Sequence, residues 1–153
     1  MIKSEFSLLW TMSVGLSQVE EVAVRIQREL MMGSCFCLWL DAPMGAGKTT
    51  FARHLMYSLG LDRRIPVNSP TYTYINEYAL PSGLYAHLDM YRAEGEIYWE
   101  ELGCSDYRDF KGILIEWPEA LVDSSFTQPT HRLEITVPHP DVRQYAFYVL
   151  SEP

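Results

Sequence analysis

Two hydrophobic patterns alternate in the first part of the chain, one spaced as in a helix and one as in a buried strand. Ser17 followed by Glu20 is a capping-box arrangement and predicts a helix from Gln18 to Met32, entered from an N-terminal strand. The apolar run CFCLWL, at residues 35–40, is short and bounded by turn-forming residues, which favours a buried strand. Thr49 to Leu59 returns to helical spacing and stops before a glycine, so it predicts a second helix.

The middle of the chain favours strands that end close to acidic side chains. The runs LYAHLD, at 84–89, and GILIEW, at 112–117, are apolar, and each reaches a carboxylate near its end. SPTYTYINEY, at 69–78, is rich in β-forming residues, so we expect it to be partly extended. Glu94 to Leu102 is expected to be helical.

The last part of the chain alternates polar and apolar residues. HRLEITV, at 131–137, and RQYAFYVL, at 143–150, show this alternation and predict an antiparallel pair. The order of elements predicts an α/β fold with a mixed, mainly parallel sheet and antiparallel C-terminal strands. No repeat or low-complexity linker divides the sequence, so residues 1–153 are interpreted as a single domain.

Composition and charge narrow the class of protein. Hydrophobic residues make up 48% of the chain and aromatic residues 13%, which excludes disorder as the overall state. The formal net charge of -8 argues against a protein that binds nucleic acid without help from another subunit, because phosphate neutralisation needs clustered lysine and arginine. Three cysteines without a framework spacing favour a reduced, cytoplasmic location. No run reaches the roughly 20 apolar residues that span a bilayer, so no membrane association is expected.

The stretch APMGAGKTT, at residues 42–50, lies between the predicted strand and the predicted helix, which is the context of a phosphate-binding P-loop. Lys48 can reach the β- and γ-phosphates, and the Thr49 hydroxyl can join the coordination shell of Mg²⁺. Ala42 stands where the strict pattern has glycine, and a small residue suffices there if its φ is negative. The loop and the strand order predict a P-loop NTPase-like three-layer sandwich. The predicted nucleotide-binding residues are Met44, Gly45, Ala46, Gly47, Lys48, Thr49 and Thr50.

Two carboxylates follow apolar strands and are candidates for magnesium binding and catalysis. Asp89 follows LYAHL and Glu116 follows GILI, so both can arrive at the same edge of a sheet. One could orient the metal or its water while the other polarises an attacking water, and the sequence leaves open which lies nearer the metal. The predicted metal ligands are therefore Thr49, Asp89 and Glu116. The alternative is a pair of strand-end acids in solvent.

Thr71 and Thr73 lie between the P-loop and Asp89, where P-loop GTPases place a loop that senses the γ-phosphate through a hydroxyl. The alternative is an edge strand with surface threonines. Tyrosines are dense around this segment, which favours a protein interface over ordinary edge-strand composition.

Several stretches together resemble one family, the small bacterial P-loop ATPase TsaE, formerly called YjeE. The matching pieces, in the family's order, are GAGKTT, SPTYTYINEY, HLDMYR, EELGCSDY and LIEWPE. The resemblance implies ATP and Mg²⁺ binding, slow ATP hydrolysis, and association with the TsaB–TsaD heterodimer, in which TsaD transfers threonylcarbamoyl to adenosine 37 of tRNA. Transfer RNA would then be met only indirectly, through that complex.

The resemblance also implies roles for individual residues. Lys48 and Thr49 match the Walker A pair, and Thr71 matches the family's switch threonine. Asp89 matches its Walker-B-like aspartate, and Glu116 matches the glutamate linked to Mg²⁺ and catalysis. The expected catalytic residues are therefore Lys48, Thr71, Asp89 and Glu116. A threonine that the family keeps near the adenine has no clear equivalent.

Three functions remain open from the sequence. The first is a slow ATPase that acts as an accessory subunit of tRNA modification. The second is a small-molecule P-loop kinase in which Asp89 accepts a hydroxyl proton, although no arginine-rich lid segment follows. The third is a nucleotide-gated binding module with negligible catalysis.

Overall fold

A computed structural model describes residues 5–121 and 128–151. The strands and helices, numbered in chain order, are β1 (Phe6–Gly15), α1 (Val19–Leu30), β2 (Phe36–Asp41), α2 (Lys48–Ser58), β3 (Ile75–Leu80), β4 (Gly83–Asp89), β5 (Phe110–Glu116), β6 (His131–His139) and β7 (Val142–Leu150). Short 3₁₀ turns occupy Leu16–Gln18, Trp99–Leu102, Tyr107–Asp109 and Pro118–Ala120.

The sheet has seven strands in the order β1-β7-β6-β2-β5-β4-β3. Three pairs in the middle of the sheet are parallel: β6–β2, β2–β5 and β5–β4. Three pairs at its two sides are antiparallel: β1–β7, β7–β6 and β4–β3. The predicted mixed sheet and the antiparallel C-terminal pair are confirmed. The description "mainly parallel" is wrong, because half of the described pairings are antiparallel. The hairpins β3–β4 and β6–β7 need only short connections, unlike the crossovers between parallel strands, and β1 pairs with β7 from the opposite end of the chain.

Both α-helices pack on one face of the sheet. Ile26 of α1 and Leu55 of α2 are fully buried against sheet residues such as Leu38. The opposite face is covered by short turns, with Trp99 packed over Ile113. In the described part of the chain, one face of the sheet thus carries the helices and the other carries a thin layer of turns, and the P-loop NTPase-like three-layer sandwich stays a prediction.

The helix expected over Glu94 to Leu102 is wrong. Only the 3₁₀ turn Trp99–Leu102 forms there. Gly95 has a φ of 78°, which a right-handed helix does not contain, and Ile97 forms a parallel bridge with Leu121 instead. Backbone partners from outside the segment thus replace the helical hydrogen bonds.

The first helix begins differently from the prediction. Ser17 does not cap it, because a 3₁₀ turn comes first and α1 starts at Val19. The side chain of Gln18 instead accepts from the Gly15 N–H at 3.1 Å. The segment at 69–78 is partly extended as expected, since β3 begins at Ile75 after a turn. Among the helices at residues 5–121 and 128–151, none combines the length and apolar composition needed to cross a bilayer.

Candidate functional site

The loop between β2 and α2 has the backbone geometry of a phosphate cradle. Gly45 has a φ of 79° and Gly47, which caps α2, has a φ of 103°. A Cβ built on either glycine meets no atom within 4 Å, so the requirement for glycine is conformational and not one of space. The N-terminal turn of α2 opens directly from this loop, and its free backbone N–H groups favour an anion.

Ala42 fits the corner where the strict motif has glycine. It is nearly buried, and its φ is not positive, so an alanine side chain meets no backbone strain there. Its carbonyl oxygen accepts a hydrogen bond from Lys48 Nζ at 2.8 Å, and the Pro43 carbonyl oxygen lies at 3.2 Å from the same nitrogen. The substitution therefore leaves the ligand-bearing positions of the loop unchanged.

Lys48 lies at the floor of the site. Its side chain is 8% exposed, and its Nζ lies 4.7 Å from the centroid of the Trp117 ring. Burial lowers the pKa of Lys48, while the carboxylates of Glu116, Asp89 and Asp41 oppose that shift. The ammonium group is thus desolvated but lies in the field of three carboxylates.

Asp89, at the end of β4, is held by hydroxyl groups from the segment that precedes β3. Its Oδ2 accepts from Ser69 Oγ at 2.6 Å and from Thr71 Oγ1 at 3.0 Å. Its Oδ1 accepts from the Tyr91 N–H at 3.0 Å. The structure therefore brings the predicted switch threonine onto the predicted aspartate, whereas Thr73 is exposed and takes no part in the cleft described below.

Glu116, at the end of β5, is held by a histidine inside the sheet. The two strands β4 and β5 are parallel, and Asp89 is the register partner of Glu116. Glu116 Oε1 lies 2.9 Å from Nε2 of His87, whose side chain is fully buried. Nδ1 of His87 has no partner among the residues that the structure describes. Because an ionised carboxylate only accepts, this geometry assigns the ring proton to Nε2.

Trp117 follows Glu116 in an unusual backbone conformation. Its φ is 55°, a left-handed value that is uncommon for a large residue and is further restricted by the following proline. Its ring packs against Tyr91 with centroids 5.2 Å apart. A non-glycine residue in this left-handed region of φ and ψ destabilises the folded state by on the order of 1–3 kcal/mol, and such residues occur often at functional sites. The conformation places the indole between Lys48 and Tyr91.

One cleft of about 420 Å³ unites these groups. Every predicted site residue except Ala46 lines it. The lining residues are Met44, Gly45, Gly47, Lys48, Thr49, Thr50, Ser69, Thr71, Asp89, Tyr91, Arg92, Glu116 and Trp117.

The cleft offers a particular set of possible metal ligands. Within residues 5–121 and 128–151, no group of three or more His, Cys, Asp or Glu side chains could enclose a metal ion. Two carboxylates and the Thr49 hydroxyl are available. Mg²⁺ is commonly held by one or two carboxylates together with substrate phosphates and water, so this donor set fits it. The two carboxylates could also orient and deprotonate a water molecule.

Sequence reasoning missed Ser69 and Arg143, which form hydrogen bonds with predicted site residues. Ser69 donates to Asp89 and lies 2.9 Å from Thr71 Oγ1, and the only sequence signal was its place two residues before Thr71. Arg143 donates to the Ala46 carbonyl oxygen at 2.9 Å, and it belongs to none of the motifs. His87 is fully buried and contacts Glu116, which is the environment of a packed, hydrogen-bonded histidine.

Comparisons with known proteins agree with one another. The family described as "Threonylcarbamoyl adenosine biosynthesis protein TsaE" matches residues 15–145. A TsaE protein of Bacillus subtilis is 41% identical over 104 residues, covering 65% of this chain and 60% of the relative. One from Haemophilus influenzae is 33% identical over 119 residues, covering 77% of this chain and 69% of the relative. This chain thus spans about three fifths of the Bacillus relative's length.

A solved structure is similar over nearly the whole chain. The crystal structure of YdiB from Bacillus subtilis superposes with a TM-score of 0.65 and 24% sequence identity. The superposition covers 96% of this chain and 88% of that chain. At this identity the likeness shows a shared fold.

Proposed function

This chain belongs to the TsaE family of tRNA threonylcarbamoyladenosine biosynthesis proteins, and on that premise we propose that it is a Mg²⁺-dependent ATPase that serves this modification. The observation that carries the proposal is the convergence of Lys48, Thr71, Asp89 and Glu116 on one cleft at the N-terminus of α2. A phosphate loop alone occurs in many reactions. The two adjacent carboxylates are what make hydrolysis the best-supported reaction.

The proposed division of labour follows from the contacts. The backbone of residues 44–50 and the Lys48 ammonium bind the phosphates. Thr49, Asp89 and Glu116 supply oxygen ligands for Mg²⁺, which would neutralise developing negative charge on the phosphates when bound. Glu116, held through one carboxylate oxygen by His87, keeps its second oxygen for the metal or for the attacking water.

Thr71 is proposed to respond to the nucleotide. Its hydroxyl donates to Asp89 here, and a γ-phosphate oxygen would offer a competing acceptor. Ser69 shares the same acceptor and lies 2.9 Å from Thr71 Oγ1, so the two hydroxyls would rearrange together. ATP and ADP would then leave this turn in different states.

We propose that this chain binds protein partners and does not bind tRNA directly. The net charge of -8 disfavours independent RNA binding. Tyr72 and Tyr91 are 80% and 50% exposed near the cleft, and exposed aromatic residues are enriched at interfaces. A TsaB–TsaD heterodimer is the partner that the family resemblance implies, and a cytoplasmic location would fit a partner complex that modifies tRNA.

The test is ATP hydrolysis by the purified chain with Mg²⁺, alone and with a TsaB–TsaD complex. We expect slow turnover alone, a higher rate with the partners, and continued production of modified tRNA only when this chain is present. A modification complex whose turnover is unchanged by this chain would contradict the proposal. A Lys48→Ala variant supplies the control for contaminating ATPases.

A small-molecule kinase is less well supported. Arg92 is the only arginine of the described residues that lines the cleft, whereas kinases of this type close several arginines over the phosphates. Arg92 packs over the Tyr72 ring at 4.5 Å. Phosphoryl transfer to a metabolite faster than ATP loss would favour the kinase. A nucleotide-gated binding module would show nucleotide-dependent partner binding with no turnover above the Lys48→Ala background.

A further inference from the structure

Arg143 lies at the beginning of β7, far in sequence from the loop between β2 and α2, yet the two are in contact. Its Nε donates to the Ala46 carbonyl oxygen at 2.9 Å. Its Nη1 donates to the carbonyl oxygens of Pro140 at 2.9 Å and Val142 at 3.1 Å. The guanidinium group is therefore anchored on its own hairpin turn while it bonds the loop.

This contact determines which way one peptide group faces. The residues that the structure describes contain no cis peptide bond, so the Ala46 C=O and the Gly47 N–H point in opposite directions. Gly47 lines the cleft, whereas Ala46 and Arg143 do not. An Ala46 carbonyl turned toward Arg143 consequently turns the Gly47 N–H away from Arg143, which lies outside the cleft.

The loop needs such a constraint because its glycines allow rotation of this peptide. Gly45 and Gly47 have positive φ values on either side of Ala46, and glycine exchanges between such conformations at little steric cost. The Ala46 methyl group is buried in the core, with the residue 1% exposed. The methyl group provides one fixed point, and the hydrogen bond to the carbonyl provides a second that defines the peptide plane.

We propose that Arg143 is a positioning residue that holds the Ala46–Gly47 peptide so that the Gly47 N–H faces the phosphates of a nucleotide. This inference rests on the proposed nucleotide site. Arg143 acts through the loop and does not itself reach the cleft. It connects the C-terminal hairpin to phosphate binding.

The test measures ADP affinity by calorimetry on the full chain for the parent, Arg143→Met and Arg143→Lys. We expect both variants to bind ADP about tenfold more weakly, the typical effect of one lost hydrogen bond. Arg108→Met is the matched control, since Arg108 is an exposed arginine paired with Asp106 away from the cleft. It should bind ADP as the parent does, and thermal melts should confirm that all variants fold.

A spectroscopic measurement in the free protein separates this inference from the nucleotide site itself. In the parent, the ¹⁵N–¹H signal of Gly47 should be single and sharp, and in Arg143→Met it should shift and broaden as the peptide samples two orientations. An unchanged Gly47 signal in Arg143→Met would overturn the positioning role of Arg143, whether or not the parent binds ADP. Failure of the parent to bind ADP would instead overturn the proposed function. Parent-like ADP affinity in Arg143→Met would also overturn the positioning role, because methionine keeps a long side chain but has no N–H to donate.

Discussion

Asp89 and Glu116 are neighbours in the sheet but are held by different kinds of partner. They are register partners at the ends of β4 and β5, and both are nearly buried, with 4% and 3% of the residue exposed. Asp89 accepts hydrogen bonds from the hydroxyls of Ser69 and Thr71, which belong to a turn. Glu116 accepts from His87, a fully buried residue within a strand.

The difference teaches how one site can combine a responsive acid with a fixed one. A hydroxyl rotates and can exchange one acceptor for another, so the partners of Asp89 can leave it for a phosphate oxygen. His87 is packed in the sheet and has no such freedom. We infer that Asp89 is suited to sense the nucleotide and Glu116 to hold a constant position during the chemistry.

The largest expected effect is at the fixed acid. Glu116→Gln keeps the shape of the side chain and can still accept from His87, but it removes the charge and the basic oxygen. We expect the ATP turnover number to fall about 100-fold, the lower range for loss of a general base. Glu119→Gln, at an exposed glutamate nearby, is the control. Turnover unchanged in Glu116→Gln would remove the catalytic role proposed for Glu116.

The next effect concerns the partner of that acid. His87→Leu leaves a buried carboxylate without its donor, so we expect a loss of about 1–3 kcal/mol in the free energy of unfolding. We also expect about tenfold slower turnover at saturating ATP. His87→Gln places an amide N–H near the position of Nε2, and it should restore part of both the turnover and the stability. Equal turnover in the two variants would show that His87 only fills space.

Smaller effects are expected at the responsive acid. Thr71→Val and Ser69→Ala each remove one hydroxyl while Asp89 keeps other donors. We expect less than about 1 kcal/mol of lost stability and roughly threefold slower turnover, since a single neutral hydrogen bond contributes about 1 kcal/mol net. Thr73→Val, at an exposed threonine, is the control. A stability loss as large as that of His87→Leu would break the comparison between the two acids.

The smallest effect is a shift in the titration of Lys48. Burial lowers its pKa, and Glu116 opposes this more than Asp89 does. Removing a negative charge destabilises the ammonium form, so the pKa of Lys48 should fall further in Glu116→Gln than in Asp89→Asn. The loss of ADP binding on the alkaline side should therefore begin at a lower pH in Glu116→Gln. Binding titrations without metal at increasing pH measure both midpoints, and the reverse order would contradict the contacts described.

The sequence motifs predicted the strands and the loop well where the pattern was local. Apolar runs identified β2, β4 and β5, and the glycines before Lys48 identified the turn into α2. The helix expected after Glu94 failed because Gly95 takes a positive φ and Ile97 bridges a distant segment. Local spacing carries no information about such a partner.

The sequence alone determined which chemical groups are present, their order along the chain, and the local elements that carry them. Loop geometry and strand position could be predicted because nearby residues encode them. Only the tertiary structure decided which groups meet. The contact of His87 with Glu116 spans neighbouring strands, and that of Arg143 with Ala46 joins segments far apart in sequence. Strand order and register bring these pairs together, and both are set by the packing of the whole sheet rather than by any single motif.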